Sequence, residues 1–555
     1  METFPEKYKC IVKTTAGPIC GFIDDSDGVT HYIFKSIPYA KPPLGRLRFL
    51  PPSPIAPWTD LKDCTQDAPL PYQFYLQEEI IGCEDCLYLE VYTPHLQPSK
   101  PLPVMFWIGC YAFAFFLDHV LDPNLLSAQD IVFVRCGFRL GPFGFLSIND
   151  FTAPGNCGLK DIIMALSWVQ RNIHTFGGDP DNVTIFGNST GGTIVHLMML
   201  SPMAAGLFHR SIIQSASALN NWSLDKNPSQ PVLEIAKVLG INKTDKVEIV
   251  DELRSVDKLD IMKAFIKLTT DMIGDREEKI FETIFKPCVE EEFEGQPAFI
   301  TRWPIKTLYS GNYNKVPMII GCNNIEAALL QFLNVNFYKD FEKFNKDPSL
   351  LVPRTLSEKP NVSKDIGHKL LKFYLGGEDH LREDTKSQYL QLLTDYYFLY
   401  YVNKTVRLHN QLAPEFPVYY YIVNFAGEWV VPQLYKWFNS IGHSAEIPFM
   451  FRIKLPNLPV CTGSRDSHIT RDRVVKMWTN FAKFGNPTPN EYDTLLQIKW
   501  DPVESPENLN YLNIGAELTK GRNPFRARMA FWDDLHKEHV FLRASIFFND
   551  LGISW

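Results

Sequence analysis

The sequence predicts an α/β fold, a large, mostly parallel central sheet flanked by helices, and three observations carry that expectation. Residues 104–108 and 131–134 are short, continuous apolar runs, the pattern of strands buried on both faces, and 183–186, 318–321 and 418–423 repeat that strand signal. Residues 159–176 instead place Ile162, Ile163, Leu166, Trp168, Val169 and Ile173 at helical spacing. Such strands and helices alternate along the chain, and strand–helix–strand units build parallel sheets.

Taken in order, residues 11–14, 21–23 and 32–37 read as short strands separated by turns, followed by the loop Ala40-Lys-Pro-Pro-Leu-Gly-Arg46. The helix over 159–176 ends at Gly177-Gly178-Asp-Pro-Asp-Asn182, where glycine and turn residues stop it. Residues 225–300 and 325–410 read as helical excursions from the sheet. Without a repeat, a low-complexity tract or a Gly/Ser linker, the 555 residues are expected to form one domain over 10–540 with a tail over 541–555.

Composition narrows the function. The net charge of −8 is scattered, with no basic run to meet a phosphate backbone, which argues against nucleic-acid binding. The longest apolar run, 103–117, falls short of the ~20 residues that span a bilayer. The first ten residues hold no apolar signal core, so a cytoplasmic protein is expected, with its sequons at Asn182, Asn188, Asn221, Asn242, Asn361 and Asn403 left bare. Eleven cysteines diluted through a long chain read as free thiols; the alternative is one bridge from Cys64 to Cys83 or Cys86.

The chemistry begins at Gly187-Asn188-Ser189-Thr190-Gly191, a G-x-S-x-G element between the strand 183–186 and the helical run that starts at Thr193. A serine on a strained strand-to-helix turn needs very small neighbours two residues away on each side. Its hydroxyl is inert at neutral pH unless a histidine, oriented by a carboxylate, takes its proton. In this arrangement the acid and then the histidine follow the serine in the chain. Glu326 follows the apolar strand Val316-Pro-Met-Ile-Ile-Gly321, and His443 follows the strand at 418–423, so Ser189, Glu326 and His443 all fall beyond carboxyl ends of strands. His196 shares the helix of Ser189 and reads as a packing residue, as does the aromatic cluster Tyr396–Tyr401.

Longer strings carry a resemblance. Phe34-Lys-Ser-Ile-Pro-Tyr-Ala-Lys-Pro-Pro-Leu-Gly-Arg-Leu-Arg-Phe49, Glu84-Asp-Cys-Leu-Tyr-Leu89, Arg139-Leu-Gly-Pro-Phe-Gly-Phe-Leu146, Pro154-Gly-Asn-Cys-Gly-Leu-Lys-Asp161 and Phe481-Ala-Lys-Phe-Gly-Asn-Pro487 resemble the type-B carboxylesterase and cholinesterase family, and within it the insect α-esterases. The resemblance implies an α/β-hydrolase fold and hydrolysis of small, lipophilic carboxylic esters by Ser189, His443 and Glu326, with neither metal nor cofactor. It also implies an oxyanion hole at the backbone of Tyr111, Ala112 and Thr190. Trp222 matches an acyl-pocket tryptophan of the insect relatives, against the plainer reading of a core tryptophan.

The chain departs from that family where glycine is usual. The oxyanion loop, His-Gly-Gly-Gly-Phe in the family, reads Gly109-Cys110-Tyr111-Ala112-Phe113 here, and the elbow carries Asn188 and Thr190 in place of Glu and Ala. A tyrosine held at positive φ would cost ~1–3 kcal/mol, or the loop would move. Losing the elbow carboxylate removes a charge that favours the imidazolium form of His443. The expectation is therefore a slow or selective esterase, with a degenerate relative that binds apolar ligands as the alternative.

Overall fold

The computed structural model describes residues 9–547, except 75–78, 275–282, 330–339, 354–355, 358, 429–440, 455–462 and 491. The expected sheet is present and has thirteen strands. In chain order the long ones are β1 (Lys9–Lys13), β2 (Pro18–Asp24), β3 (His31–Pro38), β4 (Tyr88–Thr93), β5 (Leu102–Trp107), β6 (Val132–Cys136), β7 (Gly178–Asn188), β8 (Arg210–Gln214), β9 (Met318–Asn323), β10 (Val418–Val423), β11 (Asn510–Ile514) and β12 (Leu518–Arg522). They lie side by side in the order β1-β2-β3-β4-β6-β5-β7-β8-β9-β10-β11-β12, and the two-residue strand Lys62–Asp63 pairs with β2.

From β6 through β11 every neighbouring pair is parallel, while β1 to β4 and the final β12 are antiparallel. This division follows burial. Strands β9 and β10 are buried at every residue, as runs without polar alternation should be, whereas β1 alternates exposed and buried positions. One apolar cluster fills each face of the sheet. Val104, Phe106, Val183, Ile185 and Ile213 point into one; Met105, Trp107, Phe186 and Ile212 point into the other.

The helix α1 (Cys157–Asn172) covers the first face and runs through a 3₁₀ turn to Gly177, whose φ of 79° closes it. Strand β7 begins earlier than the apolar run at 183–186 suggests. Gly178 pairs with Leu102 and the register then shifts before Val183, so the Gly-Asp-Pro-Asp stretch expected as a turn is an irregular strand entry. The helix α2 (Thr190–Leu200) leaves β7 directly, and every one of its residues is buried. The excursions are helical as expected and include α3 (Lys386–Thr394) and α4 (Tyr400–Leu412). The long α5 (Arg465–Phe484) packs on the second face, and α6 (Arg526–Phe547) runs across position 541 into the stretch read as a tail. No helix among the described residues is long and apolar enough to cross a membrane. Cys64, Cys83 and Cys86 are free thiols, as are the other seven described cysteines; Cys461 lies outside the described residues.

Candidate active site

Ser189 stands where β7 turns into α2, with φ 58° and ψ −129°, a conformation that a side-chain-bearing residue enters only under strain. The sequence explains how the turn holds. A methyl group on Gly191 would stand 2.1 Å from the carbonyl oxygen of Ile108, and one on Gly187 would stand 2.7 Å from the backbone of Gly191. Both glycines are required by close approach of backbone to backbone. The Ser189 N–H donates to Gln214 O at 2.9 Å, and Thr193 N–H donates to Ser189 O at 3.0 Å, which begins the helix.

Glu326 and His443 lie together, as their order beyond the strands suggests. Glu326 is fully buried in the loop after β9, where Oε1 accepts the N–H of Asn323 at 2.6 Å and Oε2 lies 2.6 Å from His443 Nδ1. The His443 backbone N–H donates to Glu326 O at 3.2 Å, so the two loops are joined by main chain as well as side chain. With Nδ1 engaged by the carboxylate, Nε2 is left to face a reacting hydroxyl. The His443 loop is tied to the elbow through chain neighbours: Ser444 Oγ donates to Asn188 Oδ1 at 2.6 Å. Among the described residues no hydrogen bond joins Ser189 Oγ to His443, and such bonds commonly tighten only when substrate arrives.

A second buried carboxylate, Glu446, escaped the sequence reading. Asn188 Nδ2 and Asn323 Nδ2 donate to it at 3.0 and 2.6 Å, and Ser215 Oγ donates at 3.2 Å. Burial, and then the proximity of Glu326, push its carboxyl above the usual range, while the Asn323 donor opposes them. Asn188 therefore has a definite task. A glutamate at this elbow position would set a third carboxylate against Glu446, whereas the amide donates to Glu446 and accepts from Ser444. A second carboxyl group thus remains near His443 without the elbow carboxylate, and its burial favours the protonated form.

The oxyanion loop departs from expectation. Tyr111 stays out of the left-handed region; Ala112 and Phe113 carry the positive φ instead, at 52° and 54°. The N–H of Tyr111 donates to Phe115 O at 2.9 Å, and Tyr111 O accepts the N–H groups of Ala114 and Phe115, so the loop folds back on itself. The two rings stack, with centroids 6.0 Å apart and planes 14° from parallel. Tyr111 was expected to supply an oxyanion donor, and that N–H is committed inside the loop. Among the described residues no backbone acceptor takes the N–H of Ala112 or Thr190. Thr190 also braces the loop, since its Oγ1 donates to Cys110 O at 2.7 Å and accepts from Phe113 N–H at 3.4 Å.

Trp222 is buried, its Nε1 donating to Tyr397 O at 2.9 Å. The ring of Phe398, from the aromatic cluster read as core, lies 4.8 Å from His443 and 6.0 Å from Trp222. Nothing in the local pattern of that cluster distinguishes Phe398 from its neighbours. His196 packs as expected. Its Nδ1 accepts Ala218 N–H at 3.0 Å and its Nε2 lies 2.9 Å from His409 Nε2, in surroundings that push His409 down to about 4 through burial. Among the described residues no three His, Cys, Asp or Glu side chains come together in a metal-binding set.

Comparison with known proteins agrees with this fold. The model of the carboxylesterase family matches residues 9–532. A juvenile hormone esterase of Tribolium castaneum is 30% identical, over 94% of this chain and 93% of its own. A venom carboxylesterase-6 of Apis mellifera is 33% identical, over 94% and 93%. The crystal structure of juvenile hormone esterase from Manduca sexta, with OTFP covalently attached, superimposes with a TM-score of 0.82 at 27% identity, covering 95% of this chain and all of that one.

Proposed function

Because the chain belongs to the carboxylesterase family, whose members hydrolyse carboxylic esters, we propose that it does so through Ser189, His443 and Glu326, slowly, on lipophilic esters. The observation that carries this reading is the pairing of a serine held at φ 58° on the elbow with a histidine whose Nδ1 lies 2.6 Å from a buried glutamate. Ser189 Oγ attacks the ester carbonyl carbon while His443 Nε2 takes its proton. The tetrahedral intermediate collapses as His443 returns that proton to the departing alkoxide. Water, deprotonated by the same nitrogen, then releases the acid from Ser189. Glu326 fixes the imidazole tautomer and stabilises its cation throughout.

The N–H groups of Ala112 and Thr190 receive the oxyanion. The third donor is diverted to Phe115, and one missing donor slows acylation by ~10²–10³-fold. Aromatic rings at Tyr111, Phe115, Trp222 and Phe398 suit apolar substrates. The free thiols favour a cytoplasmic setting. The diverted donor also favours a second reading, in which the pocket holds an apolar ester without turning it over. A fluorophosphonate probe separates the two. On the enzyme reading it labels Ser189 alone and labelling vanishes in Ser189→Ala; a folded protein that is never labelled, or is labelled elsewhere, leaves only the binding reading.

A further inference from the structure

Two peptide units meet in the hydrogen bond from Tyr111 N–H to Phe115 O, and each is gripped at its other end by a side chain. The first unit is Cys110–Tyr111. Its carbonyl, Cys110 O, accepts the Thr190 hydroxyl at 2.7 Å and the Gly191 N–H at 3.3 Å, so it faces the start of α2. The C=O and N–H of a trans peptide point in opposite directions, which turns the Tyr111 N–H away from the elbow. The second unit is Phe115–Phe116. Its carbonyl takes the Tyr111 N–H at 2.9 Å, and its N–H donates to Oε1 of Gln73 at 2.5 Å. Gln73 Nε2 also donates to Phe116 O at 3.2 Å, so one fully buried amide clasps Phe116 as a neighbouring strand would. Gln73 itself belongs to the two-residue strand Gln73–Phe74, paired with Ile80–Ile81, and the Phe74 ring stands edge-on to Phe115.

The geometry points to Gln73 and Thr190 as positioning residues whose side chains latch the oxyanion loop closed and so set the turnover rate. The two side chains act on the loop and leave the ester to backbone N–H groups. Bringing the Tyr111 N–H to the oxyanion requires the Cys110–Tyr111 peptide to turn over, which breaks the bond from the Thr190 hydroxyl and vacates Phe115 O. While both side chains hold, that turn strands buried polar groups without partners and is costly. Removing the Thr190 hydroxyl frees one end of the first peptide. Removing the Gln73 amide lets the second peptide rotate and carries the acceptor away from Tyr111. An alanine, usual at the Thr190 position in the family, has no hydroxyl to give, so this half of the latch comes with the departure at the elbow. The inference rests on the esterase reading of Ser189, Glu326 and His443.

The test compares Gln73→Met and Thr190→Val in the full chain; both keep the side chain close in size and remove its hydrogen bonds. Gln73→Leu takes the place of Gln73→Met if methionine does not fold. Each variant should raise kcat for 1-naphthyl acetate about 10-fold, part of the ~10²–10³-fold that one oxyanion donor supplies, with a smaller change in KM. Thr190→Ser restores the hydroxyl and should lose that gain. Gln170→Met is the control for a lost backbone-clasping amide, because Gln170 Nε2 donates to Pro180 O and Leu207 O at 2.9 and 3.0 Å, near the start of β7 and far along it from the elbow. It should raise nothing. A purely structural role for Gln73 and Thr190 would lower kcat or leave it unchanged, and either result in a chain whose wild type hydrolyses the ester overturns the proposal. If the wild type hydrolyses nothing and the fluorophosphonate never labels Ser189, the esterase reading fails on that result alone. Amide hydrogen exchange over residues 109–117 then decides the latch: it should be faster in Gln73→Met and Thr190→Val than in the wild type and Gln170→Met, and equal rates in all four would overturn it.

Discussion

On one side of Ser189 the buried polar groups converge on the imidazole of His443, and on the other they close on the loop itself. One side holds Glu326 with a backbone N–H and His443, and Glu446 with three amides and a hydroxyl, so these bonds orient His443 or its neighbours. On the oxyanion side Tyr111 N–H goes to Phe115 O, and Cys110 O is shared by Thr190 Oγ1 and Gly191 N–H. The difference teaches what substitution does to each kind of machinery. A relay is made of side chains and is lost only when those residues change. An oxyanion hole is made of backbone, so replacing glycines around it redirects donors without deleting any.

The comparison breaks most readily on the relay side. Glu326→Gln should cut kcat by about 10⁴-fold with the fold intact, because the amide no longer stabilises the imidazolium or enforces the tautomer. Glu446→Gln should cost far less, roughly 10-fold, the worth of about one pKa unit of charge stabilisation, because Glu446 reaches His443 only through Asn188, Ser444 and Asn323. Steady-state rates on a naphthyl acetate with both variants check the pair. Equal losses would mean that Glu446, rather than Glu326 alone, carries the base.

A smaller effect sharpens the other side. Glycine at Cys110, Tyr111 and Ala112 together should raise kcat by ~10–10³-fold, the range for recovering one oxyanion donor. The gain has two sources: Ala112 no longer bears a side chain at φ 52°, and Tyr111 no longer stacks on Phe115 to hold the bridge between them. KM should change little, since the hole acts on the charge that develops after binding. An unchanged kcat would show that Ala112 and Thr190 suffice as they stand.

These two sides also differ in how much of them the sequence disclosed. Ser189 was legible because strand, tight turn and helix are all local, and Gly187 and Gly191 announce the close approach that the turn requires. Glu326 and His443 were legible because each follows an apolar strand in the expected chain order. Glu446 lay in plain view three residues past His443. Its partners Asn188 and Asn323, however, are 258 and 123 residues away, and no local pattern reports that. The Tyr111 donor could not be read at all: every residue but proline has an N–H, and its direction depends on φ. The strain expected at Tyr111 falls on Ala112 and Phe113 because the loop closes one residue earlier, through Phe115. Phe398 was hidden among four tyrosines by a π-turn that periodicity does not show.

The smallest effect expected on catalysis, and a measurable one on stability, comes from Asp118 at the back of the oxyanion loop. A methyl group on Gly109 would stand 2.0 Å from its Oδ2, so glycine there makes room for the carboxylate. Neither carboxylate oxygen has a hydrogen-bond partner among the described residues. Arg135 gives Nη1 to the backbone carbonyl of Asp118 and Nε and Nη2 to Glu90 instead. Burial raises Asp118 to about 6 against the nearby charge of Arg135, and the Trp107 indole lies near enough to lower it without closing a bond. Between the unfolded value of 3.8 and about 6 the folded chain therefore binds a proton that the unfolded chain has released. The stability this proton lends is fully present below the unfolded value and is lost as pH rises through the folded one. Asp118→Asn, close in shape to the neutral acid, should be more stable than the wild type at pH 8 by on the order of 2–3 kcal/mol, with the gap closing toward pH 4. Urea unfolding at pH 8, 6 and 4 measures it. Because the carboxylate braces Gly109 by contact alone, kcat should be nearly unchanged. A gap that does not depend on pH would mean that the carboxylate is not the strained group, and a large fall in kcat would mean that its charge shapes the hole.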